Sequence, residues 1–271
     1  MIKGRGRPLK TFYNIFFHFK RGLPPLFLNM QLIKSPSHLI LTPKEELENQ
    51  LLRMEKAGRT CYQSEKGEVT KETAEKFIAR LIKLGHESVI EHSQMTVKFF
   101  DCSRGFTHEM VRHRLASFSQ ESTRYVDYAK DAKGEAEVNL NKFQIKFVAP
   151  PHTNNEEPIL LEDGRKFSFA EMLTECEKFY RALRIAGWLP EDARQILPTA
   201  VKADIVVSAN FREWRHIFKM RLTLAAHWEI RGILGNLLDE VQQVLPAVFG
   251  DFAEAGQDKN GLRYFKQVKA E

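Results

Sequence analysis

Cysteine is scarce in this sequence. Only Cys61, Cys102 and Cys176 occur among the 271 residues, and no two of them form a C-x-x-C pair. An odd number of widely separated cysteines argues against a disulfide framework and against a cysteine-ligated zinc site. We therefore expect a protein of the reducing cytoplasm.

Long apolar stretches and several common motifs are missing as well. No stretch approaches the ~20 apolar residues that a membrane-spanning helix needs, so we expect no membrane association. The sequence also lacks a P-loop, a G-x-G-x-x-G fingerprint and a G-x-S-x-G nucleophile motif. Their absence argues against a nucleotide-binding hydrolase or transferase without flavin, which is the first alternative function.

Acidic side chains are absent from residues 1–29, which carry six Lys or Arg residues. These six account for the formal net charge of +6, because residues 30–271 hold 35 basic and 35 acidic side chains. A nucleic-acid-binding module, the second alternative, would therefore depend on this basic tail alone. The tail has features of a targeting segment, but we interpret it as the product of a translation start upstream of Met30.

Hydrophobic periodicity and capping residues predict mainly helices in the neutral body. Two strands are expected, Gln94–Phe100 with alternating apolar residues and Ala203–Ala209 with a buried composition. Residues 130–165 are charged and turn-rich, and we interpret them as strands or loops. Helices around a small sheet in irregular order indicate an α+β fold. The helices are expected at about 44–57, 71–84, 103–115, 168–187, 191–197, 211–222 and 226–245.

The densest group of polar residues lies at 108–125. His108 and His113 are five positions apart, and so diverge by ~140° on a helix instead of sharing the face that a zinc-protease motif requires. Metal binding is therefore not expected. The triplet Arg112-His113-Arg114 would fan across ~200° of a helix, so it either ends the helix or serves more than one ligand. Arginine forks suit phosphates, and the aromatic residue that follows suits a base.

The same group carries a resemblance to a known family. The triplet, followed after seven residues by Ser122, matches the R-H-R-x7-S signature of flavin-dependent thymidylate synthases. The resemblance covers about residues 50–250. Further stretches resemble the family in the same order: Cys61–Ser64, Gly85–His92, Ala193–Pro198, and Asn210–His216 with Arg221 and His227–Arg231.

This resemblance implies an activity and a set of ligands. Members of the family methylate dUMP to dTMP. Methylenetetrahydrofolate supplies the carbon, NADPH reduces FAD, and reduced FAD passes a hydride to the uracil ring. No cysteine nucleophile is needed, which agrees with cysteines that lie outside the arginine-rich motifs. The resemblance also implies an antiparallel sheet flanked by helices, with residues 30–271 as one catalytic domain.

Residue roles are carried over from the same resemblance. Arg221 is the implied catalytic residue, because a permanently charged guanidinium stabilises a uracil ring ionised at N3. No metal is implied. The residues implied for FAD are Ser88, Arg112, His113, Arg114, Gln120, Asn210, Phe211, Arg212 and His216. Those implied for dUMP are Glu109, Met110, Val111, Arg112, Gln120, Glu121, Ser122, Thr123, Arg124, Arg194 and Arg221.

The spacing of three of these residues bears on assembly. Arg212 and His216 are four positions apart and share one face of the predicted helix. Arg221 lies nine positions beyond Arg212, a rotation of ~900°, and therefore faces the other way. One helix would then present arginines to two places. A site built between subunits resolves this, and we expect the homotetramer with shared sites that the resemblance implies.

Overall fold

The computed structural model describes residues 31–61, 63–64, 67–128 and 145–268. The basic tail lies outside the described residues, and so does part of the segment interpreted as strands or loops. The helices are Lys44–Cys61 (α1), Lys71–Lys83 (α2), Arg104–Met110 (α3), Phe169–Ile185 (α4), Pro190–Ala193 (α5), Phe211–Arg221 (α6), Trp228–Val244 (α7) and Pro246–Phe249 (α8). The strands are Gln31–Ile33 (β1), Ser37–Ile40 (β2), Gln94–Ser103 (β3), Ser117–Gln120 (β4), Lys146–Val148 (β5), Ile159–Leu160 (β6), Lys166–Phe167 (β7), Lys202–Asn210 (β8), Phe252–Gln257 (β9) and Arg263–Gln267 (β10).

The central sheet has four strands in the order β2-β3-β8-β4, and every neighbouring pair is antiparallel. This confirms the predicted α+β fold with a mostly antiparallel sheet. The alternation predicted for β3 is also confirmed, because Met95, Val97 and Phe99 are fully buried. On the other face Thr96 and Ser208 pair across β3 and β8, with their hydroxyl oxygens 2.8 Å apart.

One large apolar core joins the sheet to helices α1, α2, α6 and α7. Trp214 of α6 is fully buried, and its indole N–H donates to the carbonyl oxygen of Met95 at 2.9 Å. Burial of each large apolar side chain stabilises the fold by about 1.5–3 kcal/mol. A second, smaller core lies around α4 and includes Tyr128, Leu173 and Tyr180.

The capping box predicted at Ser168 is confirmed. The Ser168 hydroxyl accepts from the backbone N–H of Glu171, and the Glu171 carboxylate accepts from that of Ser168. Gly187, with φ of 89°, follows the end of α4. A left-handed conformation of this kind favours glycine, which explains the stop.

Two local predictions were wrong. The helix expected over 103–115 ends at Met110, and the chain turns so that the N–H of His113 donates to the carbonyl of Met110. The residues that follow, where no strand was predicted, include strand β4 at the edge of the sheet beside β8. The hydroxyl of Thr42, just before α1, accepts from the backbone N–H of Thr96 in β3.

Candidate active site

Glu229 of α7 fixes the start of helix α3 through two hydrogen bonds. The Glu229 carboxylate accepts from the backbone N–H of Ser103 at 2.7 Å and from its hydroxyl. The same hydroxyl accepts from the N–H of Phe106 and so caps α3. Glu229 is 2% exposed, and burial raises the pKa of its carboxyl above the usual value. The start of α3 is therefore held in place by a buried carboxylate.

Arg221, the implied catalytic residue, is fixed through all three of its guanidinium nitrogens. Its Nε donates to Nε2 of His113 at 3.0 Å. One terminal nitrogen donates to the Glu109 carboxylate at 2.9 Å, and the other donates to the Glu109 carbonyl at 3.2 Å. The end of α3 and the end of α6 therefore meet at this guanidinium.

The geometry of this contact fixes the protonation state of His113. An arginine can only donate, so Nε2 of His113 is the acceptor and the ring proton lies on Nδ1. The ring is buried, and Nδ1 lies 3.6 Å from Oε1 of Glu213. Burial, then Arg221 and His216, lower the pKa of His113 to about 4. His113 is thus neutral at physiological pH, and its approach to Glu213 is not an ion pair.

The two arginines beside His113 have the opposite environment. Arg112 and Arg114 are exposed, and their side chains make no hydrogen bond or ion pair with any described residue. Leu115, which follows them, is 79% exposed. The helix ends before this triplet, so the middle residue turns inward while its neighbours stay in solvent.

A cavity of about 650 Å³ lies beside the triplet. Three residues implied for FAD line it: Asn210, Arg212 and His216. The ring of His216 meets that of His113 edge-on, with centroids 5.8 Å apart. Ser88 is exposed on the 3-10 helix Glu87–His92, two of whose glutamates line the same cavity. The residues expected to share a face, Arg212 and His216, therefore do face one cavity.

Two arginines of α6 secure the walls of this cavity. Arg212 pairs with Glu91. Arg215 is buried, and it donates to Glu87 at 3.1 Å and to both carboxylate oxygens of Asp251 at 2.6 and 2.7 Å. A buried guanidinium with two carboxylate partners is satisfied within the fold. The 3-10 helix is thereby tied to α6 and to the C-terminal hairpin β9–β10.

A second, basic cleft of about 420 Å³ lies near β4. Arg104 and Arg194 converge there on the hydroxyl of buried Thr123, at 3.3 and 3.0 Å. His108 also lines the cleft, and no Asp or Glu is among the described residues that line it. Converging guanidinium groups without carboxylates form a site suited to an anion.

Other residues implied for dUMP lie near this cleft. Glu121 is held by Lys202 at 2.9 Å and by the backbone N–H of Asp204. Ser122 accepts from the backbone N–H of Arg124, whose side chain pairs with Glu191 at 3.0 Å.

The remaining implied residues have fixed or buried surroundings. The amide of Gln120 donates to the Thr107 hydroxyl at 2.7 Å. Met110 and Phe211 are fully buried and Val111 is 36% exposed. The side chains of Met110 and Phe211 therefore belong to the core, and only their backbones lie near the surface motif.

The structure thus divides the implied residues among three adjoining places: the 650 Å³ cavity, the Arg221 cluster and the basic cleft. Arg104, Glu213 and Lys219 were missed by sequence reasoning, and His108 was considered only as a metal ligand. Each lines one of the two cavities. Only proximity in the fold distinguishes them from ordinary surface charges.

Two kinds of feature are absent from the described part of the chain. Among them, no group of three or more His, Cys, Asp or Glu side chains is arranged to hold a metal ion. No helix in the described ranges has both the length and the apolar character that crossing a membrane requires.

The antiparallel sheet flanked by helices, with two cavities that arginines line, defines an α+β protein with sites suited to anionic ligands. Residues 45–247 match the family model described as thymidylate synthase complementing protein. The chain belongs to this family, the flavin-dependent thymidylate synthases. It is 35% identical to the flavin-dependent thymidylate synthase of Corynebacterium efficiens, over 73% of this chain and 78% of that one. It is also 35% identical to that of Geobacter sulfurreducens, over 72% and 78%.

Solved structures share the fold. A UMP/dUMP methylase, PolB from Streptomyces cacaoi bound with 5-Br UMP, matches with a TM-score of 0.58 over 82% of this chain and 95% of that chain. Thymidylate synthase X from Helicobacter pylori, with FAD and dUMP, matches with a TM-score of 0.55 over 80% and 98%. Sequence identities of 17% and 20% limit this likeness to the fold.

Proposed function

We propose that this protein methylates dUMP to dTMP, with FAD as the hydride carrier, NADPH as the reductant and methylenetetrahydrofolate as the carbon donor. The observation that carries the proposal is the fixed guanidinium of Arg221, held by His113 and Glu109 at the meeting point of two family motifs. A permanent charge in a fixed position stabilises a developing anion without reorganisation. Beside an ionised uracil ring it would favour attack by the ring carbon.

The cavity of about 650 Å³ has the residues to hold FAD. Asn210 and His216 offer hydrogen-bonding groups, and Arg212 and Lys219 offer positive charge for a diphosphate. Lys219 is exposed and has no ion pair among the described residues. Bound and reduced, FAD would supply the hydride. The protein's own part is to hold the ring next to Arg221 and to exclude water.

The basic cleft has the residues to hold the phosphate of dUMP. Arg194 uses one N–H on Thr123 and one on the Glu191 carbonyl. Arg104 uses one terminal nitrogen on Thr123 and the Glu121 carbonyl. The remaining N–H groups of both arginines have no partner among the described residues, so they can donate to phosphate oxygens.

The proposed assembly is a cytoplasmic homotetramer with shared sites. The side chains of exposed Arg112 and Arg114 make no hydrogen bond or ion pair with any described residue of their own subunit. Leu115 and Tyr125, close to them in the sequence, are 79% and 82% exposed. Apolar side chains exposed beside unpaired cations favour a surface that a second subunit completes. Sedimentation analysis tests this, and an active monomer would contradict it.

The visible absorption spectrum of the purified protein tests the function. Flavin bands should be bleached by NADPH without oxygen and restored as dTMP forms from dUMP and methylenetetrahydrofolate. A protein that is colourless and takes up no FAD would contradict the proposal. That result would favour a nucleotide-binding protein without flavin. Such a protein would still bind dUMP in the same colourless sample.

A further inference from the structure

The side chain of Glu213 is largely buried, and its carboxylate accepts no hydrogen bond from any described residue. Its side chain is 6% exposed. Its backbone N–H donates to Asn210 at the start of α6. Nδ1 of His113 lies 3.6 Å from Oε1 of Glu213, beyond hydrogen-bond distance but within reach of an electrostatic contact. Neither oxygen is among the fully buried, unpartnered side-chain atoms of the described residues, because Glu213 lines the 650 Å³ cavity. The feature that calls for a role is the position of the carboxylate, between this cavity and the His113 ring.

The orientation of His113 supplies this role. Nε2 of His113 accepts from Arg221, so Nδ1 carries the proton and points toward Glu213. If the ring turned over, a protonated nitrogen would face the N–H of Arg221, and two donors would meet. The carboxylate on the other side therefore favours the one ring orientation that can hold Arg221.

Glu213 and Arg221 lie on the same helix, eight positions apart, which separates them by ~80° around its axis. His113 comes from the turn after α3 and lies between their side chains. Glu213 also lines the 650 Å³ cavity, whereas Arg221 is held on the Glu109 side. One imidazole ring thus connects the cavity to the guanidinium.

We propose that Glu213 is a positioning residue, which holds the His113 ring through Nδ1–H and thereby fixes the guanidinium of Arg221 for the methylation of dUMP. The proposal rests on the proposed function only for the chemistry that Arg221 performs. The chain of contacts from Glu213 to Arg221 is a property of the folded chain. It can therefore be measured in protein that holds no ligand.

The first experiment needs no activity. Ligand-free protein is treated with phenylglyoxal, and the rate at which Arg221 is labelled is followed by peptide mass spectrometry. We expect Glu213→Leu to be labelled faster than wild type, because Arg221 loses its fixed partner. Glu213→Gln should stay near wild type, because an amide oxygen also presents negative partial charge to Nδ1–H. Glu240→Gln, a change at a pair with His38 outside the three places, is the matched control.

The second experiment uses the flavin-loaded enzyme. Glu213→Leu should lower kcat by about tenfold or more, since small displacements of a catalytic group are costly. FAD affinity should stay unchanged, and Glu213→Gln should recover most of the rate. In an Arg221→Lys background, Glu213→Leu should cause no further loss, because residues that act as a unit are not additive.

Three results would overturn the proposal. The first is a Glu213→Leu variant in which Arg221 is labelled at the wild-type rate. The second is a double variant in which the losses of kcat from Glu213→Leu and Arg221→Lys add. The third is a Glu213→Leu variant that binds FAD more weakly but has a normal kcat at saturating FAD. The last would make Glu213 a ligand contact. If Glu213→Leu does not fold, the labelling rates of Glu213→Gln and His113→Phe are compared instead. The proposal then requires faster labelling of Arg221 in His113→Phe and a rate near wild type in Glu213→Gln. If the wild-type protein binds no flavin and forms no dTMP, the proposed function is contradicted. The labelling of Arg221 still tests the role of Glu213 in that case.

Discussion

Glu229 accepts both the backbone N–H and the hydroxyl of Ser103, although the two residues are 126 positions apart. The contact joins α7 to the start of α3 in the buried interior. We expect Glu229→Ala to lower the free energy of unfolding by about 2–4 kcal/mol, because two buried donors lose their acceptor. Urea unfolding followed by circular dichroism measures this. The surface variant Glu240→Ala should change it by less than about 0.5 kcal/mol, and equal effects would contradict the prediction.

Neutral His113 predicts a loss of stability in acid. Its pKa in the folded protein is about 4, below the ordinary value of 6.5. Between these values the unfolded chain binds a proton that the folded chain excludes, so stability falls as the pH falls. The contribution of His113 at about pH 5 is a loss of about 2 kcal/mol. Urea unfolding at several pH values gives the free energy of unfolding of wild type and of His113→Gln. The difference between the two should change as the pH falls, and a difference that is constant with pH would refute the prediction.

Arg221→Lys tests the fixed guanidinium. Lysine keeps the charge but cannot donate at once to His113, to the Glu109 carboxylate and to the Glu109 carbonyl oxygen. We expect kcat to fall by about 10²–10³, as when an anion-stabilising donor is removed, while bound flavin is retained. Steady-state kinetics and the flavin spectrum measure the two quantities. Arg165→Lys, at a residue whose side chain is 66% exposed, is the control and should leave both unchanged.

The basic cleft predicts how the enzyme distinguishes a nucleotide from a nucleoside. Arg104→Ala and Arg194→Ala should each weaken dUMP binding by about 10–100-fold, the range expected for a charge-assisted hydrogen bond. Binding of deoxyuridine, which lacks the phosphate, should hardly change. Titration calorimetry with both ligands measures this. Equal losses for both ligands would place the phosphate elsewhere.

Local signals in the sequence predicted the elements that carry them. The capping box at Ser168 marks the start of α4, and the alternation of apolar and polar residues predicted β3. The helices α6 and α7 lie within a few residues of their predicted bounds. Glycine at 187 ended α4 because its backbone adopts a positive φ. Such signals act over three or four residues, so they can be read without knowledge of the fold.

Elements and contacts that depend on residues far away in the sequence could not be predicted from local sequence signals. Strand β4 has four residues and exists because β8 lies beside it. The hairpin β9–β10 was missed, although Asp258 and Gly261 carry its turn signal. In the candidate site, the family motifs indicated Arg221 and His113. The contribution of Glu213 requires a ring from another segment of the chain, which no spacing along the sequence reveals.

The contact of Gln267 with Asp251 has a consequence for the synthesis of the protein. Gln267 in β10 lines the 650 Å³ cavity, and its amide donates to the carboxylate that also holds Arg215. A nascent chain that has not reached Gln267 lacks this wall and one support of the guanidinium. This wall of the cavity is therefore complete only after the hairpin β9–β10 has been translated.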